Sequence, residues 1–466
     1  MSEFDEKLQA VLARDFPGFE QLVKSERLSG GASQETYRIE AIVKGEPKYL
    51  AMRRAPGGES VVPSPGHPGL AAEALLMRTA LQAGVPEPKV YSVLDKNDGL
   101  GDGFVMEWLD GVTLGAKVVR DPSLDQIRPT LARRCGEILA KIHSIELDAS
   151  GVSEVLDLVS PVDYVKQTWE RYQEYETAQP MIDYTGRWLL DNLSAEFEPC
   201  LVHNDFRNGN VMFDQDGIVA VLDWEVAHIG DPMRDLGWIC TNSWRFGRSD
   251  LPVGGFGSYQ DLFDGYESVS GKKIDPERVR WWEVFGSFWW AVGCLGMAEH
   301  YRSGPDKTVE RPAIGRRSSE CQVDCVNLLI PGSVELIVPS NQTQSDEMPR
   351  VEELLASVRE FLRQDVMNET SGRTNFLARV AGNSLDIAIR EQQIKPQFAA
   401  AADKRIRAMF NSDDSLAELR WALTRGLRDK TIALDAPGLE EYLRFTVVNQ
   451  VAIDQPGYSG FKTAVS

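Results

Sequence analysis

The chain has 466 residues, a length that corresponds to about three compact domains of ~150 residues each. It carries 70 acidic and 50 basic residues, and the net charge of −20 argues against a dedicated nucleic-acid-binding protein, because phosphate backbones are bound by Lys and Arg. Hydrophobic residues make up 42% and charged residues 26%, as in ordinary globular proteins, which excludes collagen-like, low-complexity and wholly disordered chains.

The first part of the chain predicts a small α+β domain. Apolar residues such as Leu8 and Leu12 recur at helical spacing, which predicts an amphipathic helix over residues 5–24. The pattern then changes to that of strands, with Lys44–Pro47 as a turn between the second and the third. The expected strands are Leu22–Leu28, Glu35–Val43, Tyr49–Arg54, Lys89–Leu94 and Gly103–Trp108, and a helix over Leu70–Ala83 follows the third strand.

Residues 111–335 predict a mainly helical domain with one short β segment over Val202–Asp223. A run of aromatic residues, Trp281–Trp290, has the spacing that is typical of a packed core helix. The other predicted helices in this part are Ser123–Glu146, Pro161–Glu176 and Thr185–Phe197.

Two features predict the compartment. The N-terminal residues M-S-E-F-D-E-K are acidic and lack the basic start and the apolar core of a signal peptide. The longest uncharged, largely apolar run, Val284–Ala298, has fifteen residues and is too short to cross a bilayer. We therefore expect a cytoplasmic protein without a membrane partner.

The C-terminal part differs in charge. Residues 336–347 form the predicted linker, in a stretch rich in Pro, Ser, Asn and Gln, and 348–466 predict a separate all-helical domain. From Asp346 to the end there are 18 acidic and 16 basic residues, so residues 1–345 carry a net charge of −18. One arginine-rich set in the helical domain could meet an anionic ligand, although a solvated helix face is the common role of such a pattern: Arg405, Arg407, Arg420, Arg425 and Arg428.

A glycine-rich segment, L-S-G-G-A-S, lies at a predicted turn between two strands. Adjacent Gly30 and Gly31 let the backbone approach a phosphate closely, and Ser33 adds a hydrogen-bond donor. Together with Ser29 they form a candidate phosphate-binding loop. Most Gly-Gly pairs simply make a hairpin turn, and that alternative stays open.

A second segment places a cation on the third strand. Strand alternation puts Ala51 and Arg53 on the same face, where a small residue can cover an adenine ring and a cation can reach its phosphates. This follows the logic of the V-A-I-K strand of kinases, with Arg in place of Lys. Glu73, on the next helix, would hold the cation. The alternative is an exposed Arg and a solvated Glu.

The third segment carries the strongest signal: H-N-D-F-R-N-G-N, followed by V-L-D-W-E. Asp205 can accept the proton of a hydroxyl, and Asn210, five residues later on the same loop, can bind magnesium through its amide oxygen. Asp223 follows an apolar strand and can join the β- and γ-phosphates through the metal. Phosphoryl transfer needs these groups because its transition state spreads negative charge over oxygen atoms.

In this order, the three segments resemble the aminoglycoside phosphotransferase family, small-molecule kinases that share the protein-kinase fold. The resemblance runs from about Phe19 to Ile330 and includes G-D-P-M-R-D-L-G, which begins at Gly230. It implies a bilobal α+β fold, with a five-stranded antiparallel N-lobe over 1–110 that binds nucleotide. A mainly helical C-lobe over 111–335 would bind the substrate, and the C-terminal all-α domain would be added to it.

The resemblance also implies roles for single residues. Asp205 matches the catalytic base of the family, and Asn210 and Asp223 match its magnesium ligands. Arg53 and Glu73 match its cation–carboxylate pair.

Further matches and two departures concern the surroundings of these residues. Residues Met106, Glu107 and Trp108 would be the hinge whose backbone meets adenine, and Asp235 would brace the catalytic loop. Arg53 stands where many members have Lys, and Asn204 where many have Gly. A protein kinase is disfavoured, because D-W-E replaces D-F-G and no Arg precedes the catalytic Asp.

The implied activity is an ATP- and magnesium-dependent phosphotransferase that acts on a hydroxyl group of a small molecule, with GTP as the alternative donor. The segment R-R-A-P-G-G resembles a branch associated with acyl-CoA dehydrogenases, which implies a hydroxyacyl-CoA or hydroxy acid as acceptor. The acidic charge keeps an aminoglycoside open as the acceptor, since acidic pockets attract polyamines. Arg53 in place of Lys leaves a third possibility, a non-catalytic nucleotide-binding scaffold.

Overall fold

The computed structural model describes residues 2–28, 34–60, 63–64, 66–193, 196–339 and 348–466. The chain forms two compact units. The first unit comprises Met1–Ser160 and Glu196–Trp282, and the second comprises Pro161–Ala195 and Glu283–Ser466. The chain thus passes twice from the first unit into the second, and the predicted domain bounds at residues 110, 335 and 347 stay a prediction.

Strands are confined to the first unit within the described residues. As predicted, five antiparallel strands form one sheet, in the order first, second, third, fifth, fourth. The strands are β1 (Phe19–Arg27), β2 (Glu35–Val43), β3 (Glu46–Arg54), β4 (Val90–Val93), β5 (Gly103–Glu107), β6 (Cys200–Val202), β7 (Val211–Phe213), β8 (Ile218–Val221) and β9 (His228–Gly230).

Helices make up most of the rest of the described chain. The helices of residues 1–160 are α1 (Glu3–Asp15), α2 (Leu70–Gln82), α3 (Gly115–Val118) and α4 (Arg128–His143). They are followed by α5 (Pro161–Glu174), α6 (Pro180–Asp191), α7 (Met233–Cys240), α8 (Tyr259–Ser270), α9 (Pro276–Ser303), α10 (Glu310–Arg316) and α11 (Ser318–Leu329). The C-terminal helices are α12 (Val351–Phe361), α13 (Met367–Glu369), α14 (Gly372–Phe410), α15 (Leu416–Arg428), α16 (Leu439–Asp454) and α17 (Ser459–Val465). In the described part of the chain, no helix has the length and apolar character that a membrane span needs.

Several predicted boundaries were wrong, and three of them have a clear cause in the backbone. The first helix ends at Asp15, not at residue 24, because Pro17 cannot donate to the helix and Gly18 has a φ of 84°. The turn after β2 contains only Lys44 and Gly45, whose φ angles of 52° and 81° are those of a tight hairpin turn, so Glu46 and Pro47 belong to β3. The helix predicted from Thr185 begins at Pro180, since proline is well placed in a first helical turn.

The predicted β segment over residues 202–223 consists of short strands in two small sheets. Strand β6 pairs with β9, and β7 forms a hairpin with β8, with Val211 opposite Val221. Two helices nearby, α4 and α8, approach closely because glycines lie at their contact: a Cβ at Gly136 would lie 2.1 Å from the carbonyl oxygen of Leu262. This helix pair and the two sheets flank the loop that carries the predicted catalytic residues.

An apolar core of the second unit is made from distant parts of the chain. Met181 of α6 and Val323 of α11 are buried with Phe398 of α14, Leu423 of α15 and Leu443 of α16. Helices α14 to α17 therefore share a core with α6 and α11, which the sequence analysis assigned to the C-lobe.

Candidate active site

The loop between β6 and β7 is held by a buried aspartate, Asp235 of α7. Its carboxylate accepts the backbone N–H groups of His203 and Asn204 at 2.9 and 2.7 Å, and a ring nitrogen of His143 lies 3.1 Å away. Burial alone would raise the pKa of Asp235, but the hydrogen bond and the charge of His143, with the nearby His203, hold it below its ordinary value. An ionised Asp235 thus fixes the start of the loop.

Asn204 has the conformation that explains the departure from glycine. Its φ is 70°, in the left-handed region that glycine adopts freely and that asparagine tolerates better than most residues. Its side chain donates to the carbonyl oxygen of Val226 at 2.9 Å and accepts from Nε of the buried Arg234 at 2.8 Å. Asparagine therefore keeps the loop conformation and adds two hydrogen bonds.

Two substitutions of Asn204 separate the contribution of its side-chain hydrogen bonds from that of its backbone conformation. Asn204→Gly should lower the free energy of unfolding by about 1–3 kcal/mol, because Arg234 loses an acceptor. Asn204→Ala should cost about 1 kcal/mol more, since alanine adds backbone strain at positive φ. Denaturant unfolding of both variants measures the difference, and equal stabilities would contradict the strain argument.

Asp205 is oriented by three side-chain donors. Its Oδ1 accepts from Nε of Arg207 at 2.9 Å and from the indole nitrogen of Trp238 at 2.8 Å. Its Oδ2 accepts from Nδ2 of Asn210 at 2.6 Å. A carboxylate oxygen has two lone pairs, so, counting donors from the described residues, Oδ1 is saturated and Oδ2 keeps one lone pair that can take a proton.

Two of these donors were missed by the sequence analysis. Arg207 lies within the H-N-D-F-R-N motif and its guanidinium stacks over Trp244, 4.2 Å from the ring centroid, so its proximity to Asp205 gave a usable signal. Trp238 is distant in sequence, and no spacing rule predicts it.

Asn210 and Asp223 meet at the open end of the β7–β8 hairpin. The N–H of Leu222 donates to the carbonyl oxygen of Asn210 at 2.7 Å, which ties together the residues that precede β7 and follow β8. Asp223 has a φ of 72°, which turns the chain sharply there. The amide nitrogen of Asn210 contacts both the side chain and the carbonyl oxygen of Asp205, so its amide oxygen is the atom left for a cation.

These oxygen donors fit magnesium. Mg²⁺ in phosphate-transferring sites is bound by one or two protein oxygens and takes its other ligands from water and phosphate. The described residues contain no group of three or more His, Cys, Asp or Glu that could hold a metal ion by themselves. Asn210 and Asp223 are thus suited to a cation that arrives with a nucleotide.

Arg53 of β3 joins several groups. Its guanidinium donates to Asp223 Oδ1 at 2.9 Å and to Gln34 Oε1 at 2.8 Å, and lies 3.4 Å from Glu73 Oε2. Gln34 in turn donates to Glu73 at 2.8 Å. The structure thus brings Arg53, Glu73 and Asp223 together, and it adds Gln34, which the sequence analysis missed because an isolated glutamine carries no spacing signal.

The electrostatics of this cluster make Glu73 a weaker acid than an exposed glutamate. Burial raises the pKa of Glu73 to about 7, although Arg53 opposes the shift. Burial would lower the pKa of Arg53, but the charges of Glu73 and Asp223 raise it, so the arginine stays charged. Since Asp223 competes for the same guanidinium, Glu73 is only partly compensated.

This shift predicts a pH dependence of stability. An acid whose pKa is higher in the folded than in the unfolded protein stabilises the fold at low pH, and this contribution is lost as the pH rises through about 7. Between pH 5 and pH 8, Glu73→Gln should therefore gain about 2–3 kcal/mol in free energy of unfolding relative to the unsubstituted protein. Denaturant unfolding without nucleotide measures this, with the exposed Glu20→Gln as control. A constant difference between the two pH values would contradict it.

The predicted adenine-binding residues lie side by side in the sheet. Ala51 of β3 is paired with Met106 of β5, and both are buried. The N–H of Glu107 donates to the carbonyl oxygen of Lys89 at 2.9 Å, so an adenine would have to use other backbone groups of this segment. Trp108 follows the end of β5, and its indole nitrogen donates to Asp110 at 2.9 Å. The predicted phosphate-loop residues lie outside the described residues: Ser29, Gly30, Gly31 and Ser33.

Comparison with protein families assigns two parts of the chain. The model of the "Phosphotransferase enzyme family" matches residues 24–272, and a domain of unknown function matches residues 368–458. The first match contains all of the candidate site, and the second covers the whole of α14–α16.

Curated relatives carry acyl-CoA dehydrogenase names. Acyl-CoA dehydrogenase family member 10 of Mus musculus is 30% identical over 219 residues, which are 45% of this chain and 19% of that protein. Family member 11 of Rattus norvegicus is 26% identical over 418 residues, 81% of this chain and 50% of that protein. The chain thus spans about half, or less, of the length of these relatives.

Among solved structures, a Ralstonia eutropha JMP134 protein assigned to the aminoglycoside phosphotransferases is 22% identical. The superposition covers 68% of this chain and 95% of that chain, with a TM-score of 0.55. This likeness confirms the predicted kinase-like fold.

Proposed function

The chain belongs to the phosphotransferase enzyme family, and on that premise we propose that it transfers the γ-phosphate of ATP, with GTP as the alternative donor, to a hydroxyl group of a small molecule. The observation that carries the proposal is the oriented Asp205 carboxylate, with one lone pair free on Oδ2, beside Asn210. A hydroxyl that binds at this lone pair would lose its proton to Asp205 as it attacks phosphorus. We also propose a cytoplasmic location, because the nucleotide donor is available in the cytoplasm.

In this mechanism most groups position rather than react. Arg207 and Trp238 hold Oδ1 of Asp205, so that Oδ2 points to the acceptor. Arg53 places positive charge beside Asp223, where the phosphates of a nucleotide would carry negative charge. Magnesium, held by Asn210 and Asp223, would neutralise charge on the phosphate oxygens.

For the acceptor, we propose a hydroxyacyl-CoA or a hydroxy acid. The names of the curated relatives support this choice, since they connect similar sequences with acyl-CoA metabolism. The net charge of −18 over residues 1–345 favours a second candidate, a cationic aminoglycoside. A non-catalytic scaffold rests only on Arg53 in place of Lys, and Arg53 still contacts Glu73.

A coupled ADP-release assay tests the proposal. Purified protein is incubated with ATP or GTP and magnesium, and with hydroxy acids, their CoA esters or aminoglycosides, and EDTA is added in parallel. We expect acceptor-dependent, EDTA-sensitive release with a hydroxyacyl-CoA or hydroxy acid, and the gain of one phosphoryl group by mass spectrometry. ADP release with aminoglycosides alone would replace the proposed hydroxyacyl-CoA or hydroxy acid by an aminoglycoside as the acceptor. No ADP release with any compound would refute the kinase proposal.

A further inference from the structure

The second unit contains a cavity of about 580 Å³, a size that suits a small-molecule ligand. Its walls come from the segment between α5 and α6, from the start of α6, and from α9, α10, α11, α14, α15 and α16. None of the candidate active-site residues lines it. The wall includes residues of the domain of unknown function, and also residues between the two family matches.

The charges on the wall are unbalanced. Four cations and two carboxylates line the cavity, and the two carboxylates already have partners: Glu299 lies 3.5 Å from Arg302, and Asp454 lies 3.1 Å from Arg316. Arg316 also pairs with Glu391, which lies outside the lining. The remaining two cations of the wall are therefore not paired with either of these carboxylates.

Those cations are Lys395 and Arg420. Lys395 donates to the amide oxygen of Gln450 at 3.2 Å, and Arg420 donates to the carbonyl oxygen of Ala178 at 3.0 Å, so both acceptors are neutral. Among the described residues, neither cation has a carboxylate within 4 Å. Burial and the nearby Arg420 lower the pKa of Lys395, although the charges of Glu391 and Asp454 oppose the shift.

The arginine-rich set of the sequence analysis divides accordingly. Three of its members pair with carboxylates of the second unit, and Arg425 is exposed on α15. Of the five, Arg420 is the one that lines the cavity. The paired members are Arg405 with Glu335, Arg407 with Asp403, and Arg428 with Asp183.

The rest of the wall offers apolar surface. Phe398, Met181, Ala402 and Val447 are buried residues of the core that line the cavity, and the partly exposed Leu295 lines it as well. A ligand for this cavity should therefore combine negative charge with apolar surface, because each feature matches one part of the wall.

We propose that this cavity binds an anionic amphiphile, a small molecule whose carboxylate or phosphate group contacts Lys395 and Arg420 and whose apolar part contacts Phe398 and Met181. An anion bound between them would give both cations the direct charge-assisted contact that no carboxylate of the described residues makes. The proposal does not rest on phosphotransfer, since binding is measured without nucleotide or acceptor turnover.

Isothermal titration calorimetry on the full chain tests the ligand class with four probes: octanoate, octyl phosphate, 1-octanol and inorganic phosphate. We expect one of the charged octyl compounds, or both, to bind at one site per chain, at least about tenfold more tightly than octanol or inorganic phosphate. The preference between octanoate and octyl phosphate distinguishes a carboxylate from a phosphate ligand. Equal binding of octanol, equal binding of inorganic phosphate, or no binding of either charged octyl compound would overturn the proposal.

Substitutions then test the site. Lys395→Gln and Arg420→Gln should each weaken binding of the charged octyl compound about tenfold or more, because each removes a charge-assisted contact. Arg425→Gln, on the same helix as Arg420 but outside the cavity, is the matched control and should bind as the unsubstituted protein does. If Arg420→Gln is unfolded because it loses the hydrogen bond to Ala178, the affinity of the Lys395→Gln variant alone tests whether the ligand binds in this cavity. Unchanged affinity in a folded Lys395→Gln variant would place the ligand elsewhere.

Discussion

Asp205→Ala is expected to lower kcat by about 10²- to 10⁴-fold and to change nucleotide affinity by less than about threefold. The variant removes the only group placed to accept the hydroxyl proton in the proposed mechanism. It should leave the nucleotide site intact, because Asn210 also donates to the main-chain oxygen of residue 205 at 3.1 Å, which alanine retains. Arg207 keeps its bond to the carbonyl oxygen of Asn208 and its stacking on Trp244.

The measurement is steady-state ADP release with the best acceptor, together with nucleotide titration. Asp216→Ala is the matched control, since Asp216 is an exposed aspartate on the β7–β8 hairpin. A kcat of Asp205→Ala within tenfold of the unsubstituted protein would remove Asp205 as the base.

Arg53→Met has the second large expected effect, on both stability and activity. At pH 8, where Glu73 is ionised in the unsubstituted protein, the change leaves Glu73 without its cation and Gln34 and Asp223 without this donor, which should cost about 1–3 kcal/mol in free energy of unfolding. It also removes the positive charge beside Asp223, so kcat/KM should fall by about 10²-fold or more. Arg53→Lys should lose less activity than Arg53→Met, because an ammonium group keeps the positive charge and can contact Glu73. It should still lose some activity, because one ammonium group cannot donate to Gln34 and Asp223 at the same time.

A double variant separates the two effects of Arg53. Adding Glu73→Gln to Arg53→Met removes the unpaired buried acid and should restore about 1–2 kcal/mol of stability without restoring activity. Unfolding measurements and ADP release are compared with Lys24→Met, an exposed change on β1. Recovery of activity in the double variant would show that Arg53 acts only through the fold.

Local motifs predicted the candidate catalytic and metal-binding residues better than they predicted the residues that hold these side chains in place. Asp205, Asn210 and Asp223 could be found because each lies within a short motif whose spacing reflects one loop and one hairpin. Gln34 and Trp238 could not, because they reach the site through packing of elements that are distant in sequence. Their roles, like those of the predicted residues, stay proposals.

The same distinction applies to the fold. Strand spacing predicted the five-stranded sheet, in which β2 buries Ile39 and Ala41 on one face, whereas β3 buries residues of both faces at Leu50, Ala51 and Met52. The helix predicted over residues 5–24 failed where Pro17 and Gly18 end it, because apolar spacing continues past a break that backbone geometry imposes. Amphipathic spacing also predicted the C-terminal helices, but it does not say which helices share their apolar faces.

The shared core of the second unit has a consequence for synthesis. Met181 of α6 leaves the ribosome well before Leu423 and Leu443, the residues with which it is buried. The apolar face of α6 can therefore be buried only after the last third of the chain has been synthesised. The five-stranded sheet, in contrast, has all its strands by residue 107. Nascent chains should accordingly pass through a stage in which the first sheet is folded and α6 is exposed, and this stage is the one at which chaperones would bind and at which truncated products would aggregate.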